Sequence, residues 1–229
     1  MLFVEPIPQS CAAALVQADQ TLKVGSIAVP EPKDLEILVE VRAIGINRAE
    51  VDQRKGGYAP PAGASPILGL EFSGLVRKVG KGVTRFKIGD RVMSLVTGGA
   101  YSEFAVAPVE TTLLIPAALS FEEAAAIPEA YFTIWSNVFR EGQLKTGETL
   151  LVHGGASGVG SAAIQMAKAK GVTVIATAGS DEKVLVCRKL GADFVFNHRT
   201  QDFKSEILKV TNGEGVNVIF DWVGADYLD

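Results

Sequence analysis

A chain of 229 residues can hold one large domain or two modest ones with cores of their own. At 48% hydrophobic and 21% charged residues it is too apolar for a disordered chain, and a net charge of −4 with scattered Lys and Arg excludes a nucleic-acid footprint. Cys11 and Cys187 stand in no metal-ligand spacing, no stretch approaches the roughly 20 apolar residues of a membrane span, and no signal peptide opens the chain, so a cytoplasmic protein is expected.

Up to about residue 120, the short apolar runs AALVQ, LEILVEVRAIGI, FSGLVRKVG, DRVMSLV and YSEFAVAP predict the strands of a compact β module. Residues 55–66 and 96–104, dominated by Gly and Pro, read as loops, and the charged stretch 85–91 as a solvated turn. Ser120 followed by Glu122 and Glu123 marks a helix start, and FEEAAAIPEAYFTIWSNVF predicts two helical pieces divided at Pro128. The domain boundary is set there, giving residues 1–127 and 128–229.

After Gly147 strand and helix alternate: ETLLVHG, a helix over 157–170, VTVIATAG, a helix over 181–190, DFVFN, a helix over 201–210, and VNVIFDWVG. The strands are continuous runs of Val, Ile, Leu and Phe, as parallel strands covered on both faces require. The fold class is therefore α/β, a β-rich first domain followed by a doubly wound parallel sheet.

Residues 150–171 carry a buried strand into glycines and on into a helix, the arrangement that presents unpaired N–H groups and the helix dipole to a diphosphate. Gly155, Ser157, Gly158, Val159 and Gly160 form the candidate cradle, although Ser157 stands where the middle glycine of GxGxxG is expected. The alternative is a tight strand-to-helix turn without a ligand.

An NAD site needs a carboxylate at the end of the second strand, and here Gly179 and Ser180 follow it, with Lys183 suited to a 2′-phosphate. NADPH is the expected cofactor. Asp181 would repel that phosphate, yet Asp181 and Glu182 also suit a helix start. His198 and Arg199 either frame the adenosine end or belong to a solvated loop.

These residues, with GINRAEVDQRKGGYAPPAGASPILGLEFSG (residues 45–74), KIGDRVMSL (87–95), AAAIPEAYFTIW (124–135) and TAGSDEK (177–183), resemble the quinone oxidoreductase branch of the medium-chain dehydrogenase/reductase superfamily. Among its members the stress-inducible NADPH quinone oxidoreductases are the most similar. The resemblance implies a GroES-like catalytic domain, a Rossmann cofactor domain and an active site in the cleft between them. Zinc-containing members carry Cys where this chain has Asn47 and His where it has Leu70, so no metal is expected.

The implied reaction is metal-free hydride transfer from NADPH to a quinone, with a conjugated enone as the alternative acceptor. Asn47 and Tyr58 would donate hydrogen bonds to the acceptor oxygen, and Thr133 would lie at the nicotinamide end of the cofactor. Other readings are a turn-forming amide for Asn47, a loop aromatic for Tyr58 and an ordinary helical Thr133. Glu71 is expected to be structural.

A Rossmann sheet has six strands in the order 3-2-1-4-5-6, and four are foreseen before Asp229. The chain thus reads as cut short, with a buried-type fourth strand left at an edge, and family dimers pair a strand absent here, which leaves the oligomeric state open. A weakly active or inactive chain that binds NADPH without turnover is the competing expectation.

Overall fold

A computed structural model describes residues 6–224, and the chain divides into one unit ending at Glu129 and a second beginning at Ala130. In the first, β1 (Ser10–Val16) and β2 (Leu22–Ala28) form an antiparallel hairpin. Next come β3 (Glu36–Ile44), α1 (Arg48–Arg54), β4 (Glu71–Val79), β5 (Arg91–Leu95), β6 (Phe104–Pro108) and β7 (Thr112–Leu114). These strands make an antiparallel sheet in the order β6-β3-β4-β5-β7.

The five predicted runs are all strands, and alternate side chains of β3, β4 and β5 supply the core: Ile37, Val39, Phe72, Val76 and Val92 are fully buried. Three elements were not foreseen. β2 has Val24 and its neighbours largely exposed and so lacks an apolar run, α1 is polar and seven residues long, and β7 has three residues.

α2 (Phe121–Ala125) closes this unit. Its start is a reciprocal cap, Glu123 N donating to Ser120 Oγ at 3.1 Å and Ser120 N to Glu123 Oε2 at 2.8 Å. α3 (Pro128–Ile134) begins on the proline, where the missing N–H costs no bond, so the predicted division of the two pieces is realised just ahead of Pro128.

α3 runs into a π-type stretch, Trp135–Glu141. A wider turn passes over an ordinary helical acceptor, and Asn137 Nδ2 donates to the Thr133 carbonyl at 2.8 Å. The second unit continues with β8 (Thr149–Val152), α4 (Gly158–Ala169), β9 (Thr173–Ala178), α5 (Asp181–Lys189), β10 (Phe194–Asn197), α6 (Phe203–Val210) and β11 (Val218–Phe220). Its four parallel strands run in the order β10-β9-β8-β11.

Both faces of that sheet are covered. Leu150, Val152, Val174 and Ala176 pack with Ile164 and Cys187 on one side, and Leu151, Ile175 and Phe196 with Ile207 on the other. The run VNVIFDWVG gives a shorter strand than expected: β11 has three residues, and Ile219, 57% exposed, lies on it at the sheet edge, as foreseen for a buried-type strand left open. It pairs, among the described residues, only with β8, and Asp221 Oδ1 accepts from Val223 N at 2.8 Å and Gly224 N at 3.0 Å just after it. Among the described residues no helix is long and apolar enough to cross a membrane.

Candidate functional site

The loop between β8 and α4 separates its glycines by task. Gly154 adopts φ +65°, and a Cβ there would stand 2.6 Å from the Trp222 ring. A Cβ on Gly155 would meet Ala176 Cβ and Cys187 Sγ at 2.9 Å, and one on Gly160 the Gly154 carbonyl oxygen at 2.4 Å. These three glycines serve close packing. Gly158 differs, because a Cβ there meets nothing within 4 Å.

Ser157 takes the helix cap, its Oγ accepting from Gly160 N at 3.0 Å. That explains why a serine stands where the motif expects glycine. The N–H groups of Gly158 and Val159 have no acceptor among the described residues and stand at the positive end of α4, with open space where a Gly158 side chain would be. Such a cradle fits a dinucleotide diphosphate.

The loop is pinned to β9 by two residues that the motif did not single out. His153 is 3% exposed, its Nδ1 lies 3.0 Å from Thr177 Oγ1, and its ring meets the edge of Phe203. Burial pushes the His153 pKa down.

β9 ends at Ala178, so Gly179 is the first residue past the strand. A Cβ there would stand 3.1 Å from His198 Nε2 and 3.6 Å from Arg199 Nε, so Gly179, His198 and Arg199 meet at one corner. Ser180 caps α5, its Oγ accepting from Lys183 N at 3.4 Å, which leaves the hydroxyl hydrogen to donate; the Lys183 side chain is exposed. Asp181 Oδ1 accepts from Asn197 Nδ2 at 2.7 Å, a pairing that no sequence signal announced.

In the first unit, Asn47 is the N-cap of α1, and its backbone N–H donates to Glu50 Oε2. The N-x-x-E spacing of Asn47 and Glu50 was the signal for this helix. Asn47 Nδ2 donates to Glu71 Oε1 at 2.9 Å, and Glu129 N donates to Glu71 Oε2 at 2.9 Å. One Asn47 amide hydrogen is thus engaged, leaving its second for a ligand.

Glu71 is 3% exposed and structural in kind, and a Cβ on Gly45 would fall 2.0 Å from its Oε1. Burial pushes its pKa up despite both donors, and Tyr101 beside it is pushed up to about 12 by burial and by the charges of Glu50 and Glu71. Tyr58 lies in the loop after α1, 51% exposed and without a hydrogen bond among the described residues. Thr133 is part-buried on α3.

Comparison with known proteins gives a consistent set of relatives. The profile of the alcohol dehydrogenase GroES-like domain matches residues 33–117, and that of zinc-binding dehydrogenase matches residues 158–229. The chain is 38% identical over 208 residues to quinone oxidoreductase of Homo sapiens, covering 88% of this chain and 62% of that protein. It therefore spans about three-fifths of the length of that curated relative.

Among solved structures, Escherichia coli quinone oxidoreductase complexed with NADPH is 35% identical at a TM-score of 0.80, covering 95% of this chain and 67% of that one. The CurK enoyl reductase is 31% identical at a TM-score of 0.84, covering 96% and 69%.

Proposed function

Because the chain belongs to the quinone oxidoreductase branch of the medium-chain dehydrogenase/reductase superfamily, we propose that it binds NADPH and reduces quinones by hydride transfer. The observation that carries this reading is the open cradle at Gly158, where two N–H groups without an acceptor among the described residues meet a helix dipole. The solved E. coli relative complexed with NADPH supports the choice of cofactor.

Gly158 and Val159 would hold the diphosphate, and Thr133 the nicotinamide end. Gly179, Ser180, Lys183 and His198 would hold the adenosine end with its 2′-phosphate. When bound, NADPH supplies a hydride. Asn47, oriented by Glu71, and Tyr58 would donate to the acceptor oxygen and stabilise the charge that develops there. A second reading, reduction of α,β-unsaturated carbonyls, uses the same donors and is favoured by the likeness to an enoyl reductase.

The test is NADPH oxidation with an ortho-quinone and with an enone. Turnover of the quinone, with kcat reduced about tenfold or more in Asn47→Ala at unchanged NADPH affinity, is the expected result. A chain that binds NADPH and reduces neither acceptor would overturn the enzymatic reading. Faster turnover of the enone would make the second reading the function.

A further inference from the structure

Asp181 stands two residues past Gly179, close enough for a free carboxylate to oppose a 2′-phosphate. Its carboxylate is tied elsewhere. Asn197, 6% exposed, donates from Nδ2 to Asp181 Oδ1 at 2.7 Å, while its Oδ1 accepts from Arg199 N at 3.1 Å, which fixes the direction of the amide. The Asn197 backbone N–H in turn donates to Gln201 Oε1 at 2.8 Å. Asp181 and Asn197 both line a groove of about 480 Å³ along α5 and β10, one that Gly179, Ser180, Lys183 and His198 do not line.

We propose that Asn197 is a specificity-determining positioning residue: by holding the Asp181 carboxylate on the β10 side of α5, it keeps the corner of Gly179, Ser180, Lys183 and His198 favourable to a 2′-phosphate. The inference rests on the NADPH reading above. It explains how a helix can start with an acidic residue beside a phosphate site without penalising the ligand. The helix keeps the benefit of a negative first turn, and the hydrogen bond from Asn197 directs that charge away from the corner.

The experiment measures Kd for NADPH and NADH on the whole 229-residue chain by nicotinamide fluorescence. Asn197→Asp keeps an acceptor for Arg199 N but replaces the donor to Asp181 with a second carboxylate. NADPH affinity should fall about tenfold, and NADH affinity by less than about twofold. Combining Asn197→Asp with Asp181→Asn restores the bond with its partners exchanged, and NADPH affinity should return to within about twofold of wild type.

Equal losses for the two cofactors, or no recovery in the exchanged pair, overturn the proposal while the wild-type preference for NADPH stands. A wild-type chain without that preference overturns the cofactor reading first, and the specificity role with it. Should Asn197→Asp fail to fold, Asp181→Ala is compared with Asp181→Ala plus Asn197→Ala. Equal NADPH affinity supports action through Asp181, and a further loss overturns it.

Discussion

A Cβ on Gly160 would stand 2.4 Å from the carbonyl oxygen of Gly154, so the first turn of α4 rests directly on the loop that leads into it. Backbone cannot yield there as a flexible side chain would. Gly160→Ala should cost about 1–3 kcal/mol in denaturant unfolding. Gly158→Ala, with open space around the new methyl, should leave stability unchanged while reducing NADPH affinity about tenfold or more. Melting curves beside fluorescence titrations separate the two effects. Equal loss of stability in both variants would mean that Gly158 is a packing residue as well.

Glu71 and Glu129 both have their pKa pushed up, chiefly by burial and further by neighbouring carboxylates. Above the ordinary carboxylate pKa of about 4.3, the unfolded chain releases these protons before the folded one does. The folded state then holds more protons, and stability declines as pH rises through that window up to the raised values. Glu71→Gln removes one such group, so its unfolding free energy should decline less steeply with pH. A steeper decline than in wild type would contradict this assignment.

The same variant probes Asn47. A glutamine offers one acceptor where Glu71 offers two, and the Glu129 backbone donor cannot turn away, so the Asn47 amide should flip to present its oxygen to the new amide. Its donor is then withdrawn from the proposed acceptor oxygen. Glu71→Gln should lower kcat about tenfold with little change in NADPH affinity. Unchanged kcat would detach Glu71 from the reaction.

Lys183 has an exposed side chain at the start of α5. Lys183→Ala should weaken NADPH binding about fivefold to tenfold, leave NADH binding nearly unchanged, and have less effect as salt is raised. Similar losses for both cofactors would make Lys183 a general surface charge.

Leu35 holds φ +60° in the turn before β3, with its N–H on the Lys81 carbonyl and its own carbonyl accepting from Val109 N. Asparagine tolerates that left-handed conformation better than leucine does. Leu35→Asn should raise stability by about 0.5–1 kcal/mol, read from the denaturation midpoint. A lower midpoint would show that the side chain's packing near Gly82 outweighs the strain.

The sequence was most informative where one local run determines one element. The strands of the parallel sheet are continuous because both faces are covered, and Ser120 with Glu123 identifies its helix start by spacing alone. β2 escaped because Val24, at 82% exposed, serves no core, and α1 because a short polar helix has little periodicity. The separate tasks of Gly155, Gly158 and Gly160 depend on which neighbour each backbone meets, which no motif states. Asn197 and Asp181 are 16 residues apart and meet only because β10 lies beside the start of α5.

The wide turn at Trp135–Glu141 governs the phase of the helical segment that holds Thr133. A residue in excess of the ordinary repeat is absorbed there, and Ile134 before it, Val138 within it and Leu144 beyond it are all buried. Forced into uniform α-helix at the same length, the segment would rotate its two ends by about 100° relative to each other. Either Leu144 beyond the wide turn would leave the core or Thr133 before it would change direction. The surplus residue thus acts as a phase adjuster, allowing core packing and the orientation of Thr133 to be satisfied by one continuous stretch of chain.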